Sequence, residues 1–416
     1  MKNIYVAGGS RLKGEVVIQG SKNLAIPCLA ASILFKGKVT LHNIPDISDV
    51  RGSVHMLEEL GAVVERKGSS LIIDSGRINN FTLDCVCEGG RSSILYCGPL
   101  LARFGACSCA SPKGCKIGKR PTDLHQMIFE RFGGKKNETA EELAYKADKW
   151  LGCEINLPIK SVGATESAIL SGVLAEGKTI INNCAVEPEV KHLCEFLVKA
   201  GADIEFDEDC GKITVSGVRK LRDCEYTLAP DRIVAGTYLI YCCMCGGKVA
   251  LLDAPADELD ALIHLLKRCG AEVFVDGRNI TLTMNRHPVS VGVVETDYYP
   301  GFPTDFQSLL LALEAVSEGE SIVVENIFES RFETAALLNK MGACISIEGN
   351  TAYIKGVQKL TNCDLYSPDL RGGAAVLGAM LTGVGKGCLG DFEIIERGYE
   401  DIVRDLRCLG FTGLED

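Results

Sequence analysis

Apolar residues recur at three- and four-residue spacing in stretches that stop at a glycine. Each stretch then passes into alternating apolar and polar positions. The phrase reads Leu57-Glu-Glu-Leu-Gly61 and returns as Phe129-Glu-Arg-Phe-Gly133 and Leu197-Val-Lys-Ala-Gly201. It comes again as Leu266-Lys-Arg-Cys-Gly270, Leu338-Asn-Lys-Met-Gly342 and Leu406-Arg-Cys-Leu-Gly410. These glycines step by 72, 68, 69, 72 and 68 residues. The spacing predicts helices ended by a residue that tolerates the left-handed C′ conformation. A second phrase keeps the same beat, a glycine turn opening a β-rich run, at Gly37, Gly177, Gly247 and Gly319, with Gly105 and Gly385 at the matching places. Runs such as Val273–Leu282 alternate and turn at Asp276-Gly277, a hairpin signal. The chain thus reads as six α/β units of roughly β-α-β-α-β-β. Three units closing around their helices make one domain, and six make two.

The repeat removes two apparent nucleotide motifs. Gly172-Val-Leu-Ala-Glu-Gly177-Lys178-Thr179 matches the P-loop letters. A P-loop needs a strand before it and a helix after it, and here the order is reversed. Gly385-Lys-Gly387-Cys-Leu-Gly390 matches a dinucleotide fingerprint but also falls on a repeat turn.

Composition narrows the function. The 416 residues are 46% hydrophobic and 24% charged, an ordinary globular balance. The net charge of −11 disfavours nucleic acid as the partner. No apolar run reaches the roughly 20 residues of a membrane span, and no signal-peptide core opens the chain, so a cytoplasmic protein without membrane insertion is expected. Twenty cysteines are many. They lack the paired C-x2-C sets of a structural zinc site, and most lie in apolar stretches where a free thiol packs as a small hydrophobe. No metal is expected.

Function is expected where units differ. Gln19-Gly-Ser21-Lys22-Asn23 opens a helix whose amides and dipole favour an anion, with Lys22 adding charge. Ala110–His125 is a Gly- and Pro-punctuated insertion in one unit only. Its Cys115 has Lys113, Lys116, Lys119 and Arg120 as sequence neighbours, a setting that activates a thiol. Asp305 stands just before a helix, and Arg331, Arg371 and Arg397 stand at unit edges. With Lys22, Arg91 and Arg120 they form a basic set in an acidic protein, suited to a small polyanionic substrate.

At these residues the chain resembles the enolpyruvyl transferase family over essentially its whole length. The motifs are Gly20-Ser-Lys22-Asn23, Pro112-x-Gly114-Cys115-x-Ile117-Gly118-x-Arg120-Pro121-x-Asp123-Leu124-His125 and Ser161-Val162-Gly163-Ala164-Thr165. Further along come Pro230-Asp231-Arg232, Phe302-Pro303-Thr304-Asp305, Phe328-Glu329-x-Arg331-Phe332 and Arg397-Gly398-Tyr399-Glu400. The resemblance implies two inside-out α/β domains, one over residues 22–229 and one over 1–21 plus 230–416. It implies transfer of the enolpyruvyl group of phosphoenolpyruvate to the 3′-hydroxyl of UDP-N-acetylglucosamine, with release of phosphate, the first committed step of peptidoglycan synthesis. No metal or cofactor takes part. By the resemblance Cys115 is the acid, Asp305 the base, and Lys22, Arg120 and Arg397 clamp phosphate and carboxylate. Arg91, Arg331 and Arg371 reinforce the cleft, and Asn23 bonds the intermediate. Pro121, Thr122, Asp123 and Leu124 match the uridine segment. Lys160, Ser161, Val162 and Gly163 match the diphosphate turn, and Ile327 a sugar-nucleotide contact. The branch acting on shikimate 3-phosphate lacks the cysteine loop. A paralogue for another sugar nucleotide, or a non-catalytic UDP-sugar binder, are the alternatives. Lys135–Ala147 does not read as the hairpin its sister units carry.

Overall fold

The structure is a computed structural model and describes residues 2–83, 92–110, 122–137 and 143–415. Six four-stranded sheets share one plan. An outer strand runs parallel to a central strand and an antiparallel pair completes the sheet, a hairpin in five of them and the strands Ile4–Ala7 and Leu414–Glu415 in the sixth. Val293–Glu295, for example, pairs in parallel with Glu320–Val324 across the helix Gln307–Ala315. The hairpin Cys344–Glu348 and Thr351–Lys355 then adds to it, with Val323 opposite Ala352 and Ile347 opposite Ala352. The predicted β-α-β-α-β-β unit is therefore present. The expected gap at Lys135–Ala147 is corrected: Lys135–Lys136 pairs with Leu143–Lys146, a hairpin too short to leave an alternating signal. At the P-loop match the helix Val162–Gly172 precedes and the strand Lys178–Asn182 follows, so the reversed order holds.

The described chain falls into two compact units, one from Gly20 to Ala229 and one built from the residues up to Gln19 and from Pro230 onward. Strands are exchanged between chain segments. Leu12–Val17 precedes the helix Lys22–Ala31 in the chain but pairs with Gly247–Leu252. Cys224–Thr227 precedes the helix Arg232–Cys245 but pairs with Lys38–His42. The first strand, Ile4–Ala7, lies between Lys386–Gly390 and Leu414–Glu415.

In the unit that holds both chain ends, three helices form the centre: Arg232–Cys245, Gln307–Ala315 and Leu370–Thr382. Nearly every residue on all their faces is buried, as in Gln307–Ala315 throughout, which marks helices enclosed on all sides. The second helix of each repeat is instead amphipathic, as in Asp260–Arg268, which buries Leu262, Ile263, Leu265 and Leu266. Helices at the centre and sheets outside give the inside-out arrangement.

Most described cysteines pack as thiols, and three, Cys210, Cys344 and Cys408, are exposed. The Cys97 thiol donates to the Cys109 sulfur at 3.4 Å, and both remain free cysteines. Burial pushes the Cys28 and Cys242 thiols up, Cys242 to about 12, so these are inert apolar groups.

One buried charge disturbs the core. Glu314 lies on the central helix Gln307–Ala315 with its carboxyl group buried. Burial pushes the carboxyl up to about 7, offset only in part by the nearby Ser321 and Ser290 hydroxyls and by Arg268. A raised acid is neutral at no cost at low pH. The penalty grows as pH rises from its ordinary value toward 7 and is constant above. Glu314→Gln is therefore expected to gain about 3 kcal/mol over the parent at pH 8 and almost nothing at pH 4. Urea unfolding at the two pH values checks this; an equal difference at both would assign the effect to another group.

Candidate functional site

The N-terminal ends of the three central helices in the terminus-bearing unit gather one charged cluster. Arg232 and Arg371 are the first and second residues of their helices, and Asp305 lies in the 3-10 turn Thr304–Phe306 that leads into the third. Asp231 caps the first helix through Ile233 and Val234 amides at 2.8 and 3.0 Å. Asp369 caps another through the Arg371 and Gly372 amides at 2.9 and 3.0 Å. Such caps fix the helix starts and hence the side chains on their first turns.

Asp305 Oδ1 accepts from Arg371 Nε at 2.8 Å and lies 3.8 Å from Arg331 Nη2. Both arginines are buried and Asp305 is half-buried. Burial alone would raise the Asp305 carboxyl, but Arg371, then Arg331 and Arg232, hold it well below the usual carboxylate range. Arg371 is raised in turn: Asp305, Tyr399 and Asp231 outweigh the effect of its burial. Tyr399 bonds Thr237 hydroxyl to hydroxyl at 2.7 Å. Its turn is tethered by Gln19, which donates to the Gly398 carbonyl at 3.1 Å and accepts from the Glu400 amide at 2.8 Å. Arg397 ends the 3-10 turn Phe392–Arg397 and is half-buried. Arg331 Nη1 also donates to Thr304 Oγ1 at 2.6 Å, and its guanidinium lies 5.0 Å from the Phe328 ring centre. Ile327 is half-buried beside this group.

In the unit from Gly20 to Ala229, predicted residues again sit at helix starts. Ser21 caps Lys22–Ala31 through the Leu24 amide, placing Lys22 and Asn23 on the first turn. Lys22 Nζ meets Asp49 Oδ2 at 2.8 Å. Ser161 caps Val162–Gly172 through the Ala164 amide at 3.3 Å. Its hydroxyl is thus a capping group, and the amides of Val162 and Gly163 lie in the first turn, where a helix favours negative charge. Lys160 precedes the cap, half-buried. A Cβ on Gly163 would stand 3.4 Å from the His125 ring. His125 in turn bonds Ser167 at 2.6 Å. Thr122 precedes the helix Asp123–Arg131 and accepts from Gln126 at 2.9 Å, with Asp123 and Leu124 on the first turn. Cys115, Arg91, Arg120 and Pro121 lie outside the described residues.

Of the predicted site residues, the structure brings Asp305, Arg331 and Arg371 together. It adds Arg232, Asp231 and Tyr399 to that cluster and, in the other unit, Asp49 beside Lys22. The first three lay inside the Pro-Asp-Arg and Arg-Gly-Tyr-Glu motifs, but nothing in their spacing pointed at Asp305. Asp49 carried no signal beyond an acidic first turn. Among the described residues no cluster of His, Cys, Asp and Glu could hold a metal, and no helix is long and apolar enough to cross a membrane.

Residues 6–406 match the sequence profile of the family described as EPSP synthase (3-phosphoshikimate 1-carboxyvinyltransferase). The chain belongs to this enolpyruvyl transferase family. A relative from Caldanaerobacter subterraneus subsp. tengcongensis, named UDP-N-acetylglucosamine 1-carboxyvinyltransferase 2, is 39% identical over 99% of this chain and 98% of its own. A UDP-N-acetylglucosamine 1-carboxyvinyltransferase from Psychrobacter arcticus is 38% identical with the same coverage. Among solved structures, the enolpyruvyl transferase NikO from Streptomyces tendae superposes with a TM-score of 0.90 at 24% identity, over 99% of this chain and 98% of that one. That likeness concerns the enolpyruvyl transferase fold.

Proposed function

We propose that the chain transfers the enolpyruvyl group of phosphoenolpyruvate to the 3′-hydroxyl of UDP-N-acetylglucosamine and releases phosphate, in the cytoplasm, as the first committed step of peptidoglycan synthesis. The observation that carries this reading is near-full-length identity close to 40% with relatives of that name. The Asp305–Arg371–Arg331 cluster supports it, because the reaction needs a carboxylate base beside fixed positive charge.

In the proposed addition Cys115 gives a proton to the methylene carbon of phosphoenolpyruvate. The 3′-oxygen attacks the neighbouring carbon and its proton passes to Asp305. The tetrahedral intermediate carries phosphate and carboxylate. Lys22, Arg120 and Arg397 bind these, with Arg91, Arg331 and Arg371 reinforcing them, so cationic side chains meet its charge. Phosphate then leaves as its C–O bond breaks, the Cys115 thiolate takes back a methyl proton to give the enol ether, and the proton on Asp305 passes to solvent or the departing phosphate. Asn23 bonds the intermediate. Thr122 to Leu124, with Pro121, take uridine. The amides after Ser161, with Lys160, take the diphosphate, and Ile327 contacts the sugar nucleotide. Every group in this scheme is a side chain or backbone amide of the chain itself.

Phosphate release with phosphoenolpyruvate and either UDP-N-acetylglucosamine or shikimate 3-phosphate tests the reading. Release with the sugar nucleotide alone is expected. Release with shikimate 3-phosphate alone, or with neither, overturns it. Cys115 has its own check. The thiolate is expected to open the epoxide of fosfomycin, forming an S–C bond while the ring C–O bond breaks and its oxygen takes a proton. Peptide mass mapping should place a single adduct on Cys115; an adduct elsewhere, or none, removes its special role.

A further inference from the structure

We propose that Glu325 is a positioning residue that locks the turn carrying Asp305 to the loop carrying Ile327. This rests on the proposed roles of Asp305 as base and Ile327 as acceptor contact.

The repeat makes Glu325 stand out. In four units the residue after the central strand is Asn or Asp in the left-handed region: Asn43, Asn183, Asp253 and Asp391, with φ of 57°, 54°, 53° and 53°. Asn43 and Asn183 use their amides on the carbonyls of Leu228 and Leu157, at the end of the neighbouring parallel strand. In the Asp305 unit that place falls to Glu325, which stays out of the left-handed region. The amide contact passes one residue on, to Asn326, which donates to the Thr296 carbonyl at 3.1 Å. The Glu325 side chain is thereby released from the scaffold task its sisters perform.

Its carboxylate is turned to the site instead. Glu325 is 2% exposed. Oε1 accepts from the Ile327 and Phe328 amides, both at 2.9 Å. Thr304 Oγ1 lies 3.0 and 2.9 Å from the two carboxylate oxygens and donates to them. Thr304 in turn accepts from Arg331, which stacks near Phe328 and approaches Asp305. The contacts close a ring: Glu325, Phe328, Arg331, Thr304 and back. The Glu325 backbone is itself pinned, its amide donating to the Asn350 carbonyl at 2.8 Å and its carbonyl accepting from Asn350 Nδ2 at 3.2 Å. A buried carboxylate is costly unless hydrogen-bonded as fully as this one. An apolar residue would fill the space without ordering either segment.

Two properties separate positioning from mere support. Thr304 is the link from Glu325 to the Asp305 turn, whereas Glu325 also holds the Ile327 and Phe328 amides directly. Thr304→Val should therefore lower kcat at least about tenfold with little change in the KM for UDP-N-acetylglucosamine. Glu325→Gln should lower kcat and raise that KM severalfold. Thr304→Ser, which keeps the hydroxyl, should recover kcat to within about threefold of the parent. Phosphate release by the full-length variants, with thermal melts alongside, reads all three. A folded Thr304→Val with parental kcat overturns the proposal, as does a Thr304→Ser that stays as slow as Thr304→Val. If Glu325→Gln does not fold, the two Thr304 variants decide alone. A parent enzyme that releases no phosphate overturns the proposed reaction instead, a distinct result.

Discussion

Asp305→Asn is expected to cut phosphate release by about 10²- to 10⁴-fold, the usual contribution of a positioned base. The amide keeps the shape and loses the site that accepts a proton. The physical question is how a carboxylate held so far down by Arg371 and Arg331 acts as a base at all. Its acidity is a property of the ligand-free cluster. A dianion arriving beside Arg331 and Arg371 takes up part of their positive charge, and the carboxyl rises toward its ordinary range. The acid limb of kcat/KM, which reports the free enzyme, should then lie at lower pH than the acid limb of kcat. Coincident limbs, or an Asp305→Asn variant within tenfold of the parent, would remove Asp305 from the chemistry.

The second large effect is on stability. Arg371→Met should cost about 3 kcal/mol at pH 7, because it strips a buried partner from Asp305 while leaving a similar volume filled. The figure sits at the lower end for a broken buried pair, since Asp305 is partly open and Arg331 remains nearby. The sign with pH follows from the depressed carboxyl. Its stabilisation is complete above the ordinary carboxylate value and is lost as pH falls through the folded value. The deficit of Arg371→Met should thus be full at pH 7 and shrink below about pH 4. Denaturant midpoints at the two pH values measure it. A deficit that persists unchanged in acid would point to lost packing rather than lost charge.

Much of this was legible in sequence because the repeat is local. The glycine at the end of each helix and the glycine before each central strand are short-range requirements, repeated six times. The central helices could be read because they are apolar on every face. Asp305, Arg331 and Arg371 could be singled out as charges at unit edges. What joins them could not. Glu325 reads in sequence as one more acid after a strand; its bond to Thr304 depends on a turn 21 residues away, and its bonds to the Ile327 and Phe328 amides follow the loss of a left-handed residue. Lys22 meets Asp49 only after two helices have packed. The hairpin at Lys135–Lys136 pairs too few residues to show alternation.

The strand exchange has a consequence for synthesis. Leu12–Val17 leaves the ribosome early but has no partner until Gly247–Leu252 emerges, and Ile4–Ala7 waits for Lys386–Gly390. The stretch from Gly20 to Ala229 holds every strand its three sheets use. It can close while the rest is still being made. The chain is in effect one folded body inserted into another. The body that owns the first residues is the last to be completed, and its unpaired leading strands are held out as edges for most of translation.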